Sequence, residues 1–167
     1  MPLSEPMCGI LKAGMRKERD AHDFYLKAAA GTKHPLGRKM FERLAGEETK
    51  HEQLLASWAK AGVCPATGDL PPSEPGVLQR ARAKIKERTG PDTGDLEAIE
   101  LGQDMERKAI AFYQDAAAKA EGQDAKDLLL RLKAEEDTHL ALLVDLYEYL
   151  RNPNLWSVRD ERAHFDA

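Results

Sequence analysis

The sequence predicts an all-α protein, an antiparallel four-helix bundle with a long crossover between helices 2 and 3. Three observations predict it: a 3.6-residue apolar rhythm in four long segments, turn-forming residues between these segments, and an internal repeat that relates the two halves of the chain. No stretch alternates apolar and polar residues with a period of two, so we expect no sheet.

The four helices are predicted from the points where the apolar rhythm begins and ends. Pro35 is a favoured first-turn residue and begins the second helix, which Gly62 ends. Gly122 separates the third helix from the fourth. The predicted helices span residues 6–30, 35–62, 95–121 and 124–150.

The connections between the helices predict how the bundle is wound. Residues 64–76 are rich in Pro and Gly, and the basic stretch 77–88 is expected to form a short extra helix within the crossover. Two short hairpin connections around one long crossover are the connectivity of ferritin-like bundles. We expect residues 1–150 to form the bundle and residues 151–167 to form a polar C-terminal tail.

Composition and charge limit the classes of function. The chain has 167 residues, of which 42% are hydrophobic and 32% charged, and 25 basic against 29 acidic residues give a net charge of −4. This acidic excess weighs against a nucleic-acid partner. No apolar run approaches the roughly 20 residues that cross a bilayer, and the first residues do not resemble a secretory signal. We therefore expect a cytoplasmic protein without a membrane partner.

The internal repeat superposes the two halves of the chain at an offset of 88 residues, without a gap. Glu18, Phe24 and Tyr25 align with Glu106, Phe112 and Tyr113, and Leu44, Glu48 and His51 align with Leu132, Glu136 and His139. One helical hairpin cannot bury its apolar stripe alone. The repeat therefore predicts two hairpins that face each other about a pseudo-twofold axis.

Each predicted helix has one glutamate in its apolar stripe, and helices 2 and 4 add a histidine three residues later. Glu18 and Glu48 are equally far from the first turn, and Glu106 and Glu136 are equally far from the second. At 1.5 Å rise per residue, all four lie roughly 22 Å from their turns. The six side chains expected to share one layer are Glu18, Glu48, His51, Glu106, Glu136 and His139.

This set of side chains predicts a metal centre. A buried, isolated carboxylate costs several kcal/mol, and like charges in one cavity raise the pKa of each other. Two divalent cations compensate four carboxylates and give the imidazoles an electron-pair acceptor. A glutamate from each of two helices with Glu-x-x-His from the other two is the di-iron or di-manganese pattern, and this oxygen-rich set suits Fe or Mn better than structural Zn.

Four stretches of the sequence resemble the helices of the rubrerythrin branch of the ferritin-like superfamily. They are ERDAHDFYLKAAA, LAGEETKHEQLL, ERKAIAFYQDAAAKA and LKAEEDTHLALL. The resemblance covers about residues 10–150 and implies that the six residues bind two non-haem iron ions, with Mn as the other candidate. Full rubrerythrins also carry a rubredoxin module with four cysteines, whereas this chain has two, and Ala109 stands where typical members have an additional carboxylate.

The resemblance implies an oxidoreductase in which a pair of Fe(II) ions reacts with H₂O₂ or O₂, as a peroxidase or a ferroxidase. Turnover as a peroxidase needs a separate electron donor, and a homodimer or larger homo-oligomer is expected. Three alternatives stay open: iron storage inside an oligomer, hydroxylation of an organic substrate, and a partner-binding bundle whose metal is structural.

Several residues near the six candidate ligands also have predicted roles. Tyr25 and Tyr113 lie two turns after a candidate ligand, where they either hydrogen-bond a ligand carboxylate or simply pack as aromatic side chains. Gly14 and Gly102 are interpreted as points of close helix packing. The remaining glutamates next to the site, Glu47 and Glu135, are expected to be solvated or paired with lysines.

The two cysteines, Cys8 and Cys64, lie at the end of the first hairpin away from its turn. A disulfide or a redox relay between them is one interpretation. In a reducing compartment we expect separate thiols instead.

Overall fold

The computed structural model of the protein describes residues 2–64 and 93–152. They form four helices and no strand, which confirms the predicted all-α class: α1 Glu5–Gly31, α2 Pro35–Ala61, α3 Thr93–Lys119 and α4 Gln123–Arg151. All helix ends lie within two residues of the predicted ends. The predicted extra helix of the crossover and nearly all of the predicted tail lie outside the described residues.

The helices begin and end where local chemistry favours it. Ser4 caps α1, since its Oγ accepts a hydrogen bond of 3.2 Å from the backbone N–H of Met7. Pro35 occupies the first turn of α2, where a missing N–H costs nothing. Gly122 joins α3 to α4 with a φ of +93°, a conformation that favours glycine. These short connections fix both hairpins.

The bundle consists of two helical hairpins packed against each other. Contacts are most extensive within the hairpins, between α1 and α2 and between α3 and α4. Between the hairpins α1 packs on α3, whereas α2 and α4 touch little. This arrangement leaves a groove between α2 and α4 that reaches the middle of the bundle.

Two apolar clusters form the core, one toward each end of the bundle. The first contains Tyr25, Phe41 and Leu143, and the second contains Leu55 and Tyr113. The C-terminal half of α1 shares the first cluster with the start of α3, so these two helices run antiparallel. The layer between the clusters is where the sequence places the four glutamates and two histidines.

Cys8 and Cys64 form a disulfide with their Cα atoms 5.5 Å apart. The expectation of separate thiols is therefore wrong. Antiparallel packing brings the beginning of α1 against the residues that follow α2, so cysteines separated by 56 positions meet. A hydrogen bond of 2.9 Å from Leu3 N to Gly62 O joins the same two ends. The disulfide thus closes the first hairpin at its open end.

Among the described residues, no helix combines the length and the apolar character needed to cross a membrane.

Candidate metal centre

Six ionisable side chains lie together in the layer between the two apolar clusters. Each is at most 5% exposed, although glutamate and histidine are seldom fully buried. α1 and α3 each contribute one glutamate, and α2 and α4 each contribute a glutamate and a histidine. The residues are Glu18, Glu48, His51, Glu106, Glu136 and His139.

The six side chains form two overlapping groups, each of four potential metal ligands. The first group, which we call the His51 position, consists of Glu18, Glu48, His51 and Glu136. The second group, the His139 position, consists of Glu48, Glu106, Glu136 and His139. Within each group, one donor atom per residue lies within 4.8 Å of the others. Glu48 and Glu136 belong to both positions, so each can bridge two ions.

Each histidine directs its Nδ1 atom at three carboxylates. His51 Nδ1 lies 3.0 Å from Glu136 Oε1, 3.2 Å from Glu48 Oε2 and 3.5 Å from Glu18 Oε2. His139 Nδ1 lies 3.0 Å from Glu136 Oε2, 3.2 Å from Glu48 Oε1 and 3.8 Å from Glu106 Oε1. A single N–H cannot satisfy three acceptors, whereas a cation at the same place can contact all of them.

Two carboxylate oxygens at the centre show that the donors fit metal ions. Oε1 of Glu48 and Oε1 of Glu136 are buried and have no donor of their own, because the nearest histidine Nδ1 atoms, at 3.2 and 3.0 Å, are shared with other carboxylates. A buried acceptor that is poorly satisfied is costly. Both atoms belong to the residues shared by the two positions. With one nitrogen and several carboxylate oxygens for each ion, this donor set suits Fe or Mn.

Burial and mutual repulsion make the glutamates unequal. Burial, with repulsion from Glu48 and Glu136, raises the pKa of Glu106 well above its usual value. Burial likewise raises the pKa of Glu18, and its hydrogen bond with His51 does not offset the increase. Burial alone would raise the pKa of Glu48 too, but hydrogen bonds from both histidines lower it to about 2. The pKa of Glu136 is lowered by hydrogen bonds from the same histidines, against burial and repulsion.

The histidines hold protons when no metal is present. Burial alone would lower the pKa of His139, but hydrogen bonds to Glu136 and Glu48 raise it to about 11. The pKa of His51 is raised in the same way by Glu136, Glu18 and Glu48. These directions favour two imidazolium groups beside ionised Glu48 and Glu136, with Glu18 and Glu106 favoured in the neutral form. Two divalent cations can replace these protons without changing the net charge of the layer.

Two tyrosines bind the carboxylates across the pseudo-twofold axis. The hydroxyl of Tyr25 donates a hydrogen bond to Glu106 Oε1, and the hydroxyl of Tyr113 donates one to Glu18 Oε1. Each tyrosine is fully buried and contacts the glutamate of the other half. Of the two interpretations of these tyrosines, the geometry favours hydrogen bonding to a candidate ligand.

Gly14 and Gly102 make room for these tyrosines. A Cβ atom on Gly102 would lie 3.2 Å from Tyr25 Cε1 and 3.1 Å from Leu143 Cδ1. A Cβ atom on Gly14 would lie 2.9 Å from Leu55 Cδ1 and 3.4 Å from the Tyr113 hydroxyl. The interpretation of close packing agrees with these distances, and the space beside the glycines is filled by side chains.

Glu135 contacts the buried layer, so the expectation that it is solvated or paired with a lysine is wrong. Its Oε2 lies 2.7 Å from His51 Nε2, while Glu47 pairs with Lys50 at 2.9 Å as expected. One available signal is that Thr138 follows Glu135 where Lys50 follows Glu47 in the repeat. Glu135 therefore has no lysine three residues later, and its carboxylate binds the histidine in addition to Arg131.

A cavity of about 560 Å³ lies in the groove between α2 and α4 and reaches both histidines. Its polar lining also includes Glu47, Glu135 and Thr138, together with the cationic residues Arg43, Lys50 and Arg131. Among the described residues, the cavity offers a route by which a small molecule can approach the two histidines. Leu44 also lines the cavity. Phe24, Leu44 and Leu132 are buried, and Phe112 is half-buried.

The histidine that follows Glu18 by one turn does not join the layer. His22 Nδ1 lies 3.1 Å from the exposed Asp23 carboxylate. This agrees with the repeat, in which His22 aligns with Ile110 rather than with a histidine.

Comparisons with known proteins agree with this fold. A hypothetical protein from Pyrococcus furiosus has a similar structure, with a TM-score of 0.73 and 21% sequence identity over 90% of this chain and 93% of that chain. No curated protein sequence matches the chain significantly. The sequence model of the Rubrerythrin family matches residues 9–147, and the buried cluster of carboxylates and imidazoles is compatible with a di-iron site. The chain belongs to the Rubrerythrin family.

Proposed function

We propose that the protein is a non-haem di-iron oxidoreductase in which a pair of Fe(II) ions reacts with H₂O₂ or O₂. The observation that carries the proposal is the pair of overlapping donor groups, which share Glu48 and Glu136. When bound, the two iron ions supply two redox centres that together deliver two electrons to one oxidant molecule. Manganese has similar ligand preferences and is the alternative metal.

Each of the six residues has a role in this proposal. Glu48 and Glu136 would hold both ions, because each belongs to both groups. The others would hold one ion each: Glu18 and His51 at the His51 position, and Glu106 and His139 at the His139 position. The carboxylates would neutralise the ionic charge, and the imidazoles would bind through Nδ1, the nitrogen that faces the carboxylates.

Tyr25 and Tyr113 are the proposed catalytic residues beside the ligands. Each hydroxyl orients a carboxylate that belongs to only one of the two positions. Burial, with repulsion from the adjacent glutamates, raises the pKa of both tyrosines well above the usual value. The phenol oxygens therefore retain their protons at neutral pH and can donate hydrogen bonds as charge develops on the carboxylates.

The electrons for repeated turnover come from a separate donor in this proposal. The two cysteines of the chain are joined to each other, so they do not provide the four thiolates of a rubredoxin centre. With such a donor the protein acts as a peroxidase. Otherwise it oxidises Fe(II) as a ferroxidase.

The test is anaerobic loading with two Fe(II) per chain, followed by stopped-flow mixing with H₂O₂ and, separately, with O₂. We expect fast oxidation by one of them: faster reaction with H₂O₂ favours the peroxidase, and equal or faster reaction with O₂ favours a ferroxidase or hydroxylase. Bound iron that reacts with neither oxidant contradicts the proposal and indicates a structural metal. The native mass after iron addition distinguishes the proposed oxidoreductase from an iron-storage protein. Storage requires a cage-sized assembly that retains many ions per chain.

A matched pair of variants tests whether the reaction uses this site. Glu48→Ala removes a shared ligand and should abolish stoichiometric binding of two ions and the fast reaction. Glu47→Ala changes the preceding residue, which pairs with Lys50, and should leave both intact. Undiminished binding in Glu48→Ala would remove Glu48 from the ligand set.

A further inference from the structure

The two histidines of the metal layer are held differently. His51 uses both ring nitrogens: Nδ1 faces the carboxylates, and Nε2 lies 2.7 Å from Glu135 Oε2. The other oxygen of Glu135 accepts a hydrogen bond of 2.9 Å from Arg131 Nε. Glu135 is thus held from both sides, and it fixes the orientation of the His51 ring.

The repeat gives His139 an equivalent partner that it does not use. Glu47 aligns with Glu135, but its carboxylate accepts a hydrogen bond of 2.9 Å from Lys50. Among the described residues, all polar contacts of the His139 ring are made by Nδ1. His139 is therefore oriented from one side only.

One pair of aligned residues accounts for this difference. Lys50, three residues after Glu47, aligns with Thr138, three residues after Glu135. Thr138 directs its hydroxyl to the backbone oxygen of Ala134, 3.1 Å away on the same helix. It leaves Glu135 available to His51, whereas Lys50 draws Glu47 away from His139.

We propose that Glu135 is a positioning residue that makes the two metal positions unequal, so that the His51 position binds its ion more tightly than the His139 position. This inference rests on the proposed metal centre. An acceptor on the remote nitrogen of a histidine fixes its tautomer and ring orientation and strengthens it as a ligand. The ion at His139 is then the first to leave.

The first test is a titration of the metal-free protein with Co(II), in competition with a chelator, to obtain two dissociation constants per chain. We expect two separate steps in the wild type. Glu135→Gln should weaken the tighter step by about 10–100-fold, the usual effect of losing such a partner. The matched variant Glu47→Gln should leave both steps unchanged, because Glu47 does not contact a histidine.

The second test exchanges the aligned residues without altering any glutamate. Thr138→Lys places an ammonium group near Glu135 and should weaken the tighter step. Lys50→Thr should release Glu47 toward His139 and strengthen the weaker step. In the metal-free protein, the NMR signal of the His51 Nε2 proton should be protected from exchange in wild type and Glu47→Gln, and lost in Glu135→Gln and Thr138→Lys.

The results separate this inference from the proposed function. Two equal steps in the wild type, or equal weakening by Glu135→Gln and Glu47→Gln, would overturn the inference and leave the metal centre in place. Failure of the wild type to bind two ions would instead contradict the metal centre itself. Circular dichroism of each variant verifies folding, and Thr138→Lys provides the answer if Glu135→Gln does not fold.

Discussion

Tyr25 on α1 donates a hydrogen bond to Glu106 on α3, so a residue from one half of the repeat holds a candidate ligand from the other half. The reciprocal bond joins Tyr113 to Glu18. Because both bonds cross the interface between the hairpins, the layer of buried glutamates also joins the hairpins. Substitutions of these tyrosines are therefore expected to affect both the stability of the bundle and the proposed metal centre.

Replacing Tyr25 with phenylalanine should affect both stability and chemistry. The Glu106 carboxyl would lose its donor inside the protein, which costs about 1–3 kcal/mol. We expect the free energy of unfolding of the metal-free protein, measured in urea, to fall by this amount. Two Fe(II) ions should still bind, but stopped-flow oxidation should be slower.

A surface tyrosine provides the control for this variant. Tyr147 donates a hydrogen bond of 3.0 Å to Glu100 in an exposed pair. Tyr147→Phe should change stability by no more than about 0.5 kcal/mol, as is usual for surface substitutions. If the two substitutions lower the free energy of unfolding equally, the buried hydrogen bond of Tyr25 contributes no more to stability than the exposed hydrogen bond of Tyr147.

Gly102→Ala should displace the Tyr25 ring, because the added Cβ would lie 3.2 Å from Tyr25 Cε1. The ring has little freedom to move inside a packed core, so we expect slower iron oxidation without loss of the bound ions. Gly46→Ala is the matched control, since no atom lies within 4 Å of its added Cβ on the exposed face of α2. That variant should gain up to about 1 kcal/mol from helix propensity. Stopped-flow kinetics and urea unfolding measure both effects.

The metal-free protein should lose stability as the pH rises. The pKa of His139 is about 11 in the folded chain against an ordinary value of 6.5, so its contribution is complete below pH 6.5 and disappears as the pH rises toward 11. The raised pKa values of Glu18 and Glu106 act in the same direction, because a rising pH forces a buried carboxyl to ionise. Urea unfolding in the presence of a chelator, between about pH 6.5 and pH 10, measures the decline.

Loading with metal should remove this pH dependence and release protons. The imidazolium protons of His51 and His139 and the carboxyl protons of Glu18 and Glu106 must leave before these groups bind cations. An indicator dye in weakly buffered solution detects the release as metal is added. Metal binding without proton release would contradict this protonation pattern of the metal-free protein.

Loss of the Cys8–Cys64 disulfide should destabilise the first hairpin without affecting the metal centre. The cross-link closes a loop of 56 positions, for which chain entropy gives about 4 kcal/mol. The double variant Cys8→Ser with Cys64→Ser should therefore unfold at lower urea concentration. Metal stoichiometry should remain unchanged, because Cys8 precedes Glu18 by ten residues, roughly 15 Å along α1. Loss of metal at low urea would show that the disulfide also shapes the site.

The sequence was sufficient to predict the bundle and the layer of ionisable residues. Helical spacing places Glu48 and His51 on the same face, and the offset of 88 residues gives Glu136 and His139 the same arrangement. Both results follow from periodicity, which depends only on backbone geometry. The four glutamates are equally far from their turns, so they are also predicted to lie at the same height along the bundle axis.

Features that depend on side-chain choice were harder to predict. Glu135 and Glu47 occupy equivalent places in the repeat, yet one binds a histidine and the other a lysine. This choice depends on competition between neighbours, which periodicity does not describe. The disulfide was one of two interpretations of Cys8 and Cys64, because helix lengths bring the two helix ends together but do not decide between a disulfide and separate thiols.

The most direct test of the central claim is crystallography of the iron-loaded protein with anomalous scattering measured at the iron edge. The account predicts two anomalous peaks in the central layer, one beside Glu18 and His51 and one beside Glu106 and His139. Glu48 and Glu136 should contact both. A layer without an anomalous peak, or iron bound only at surface carboxylates, would contradict it.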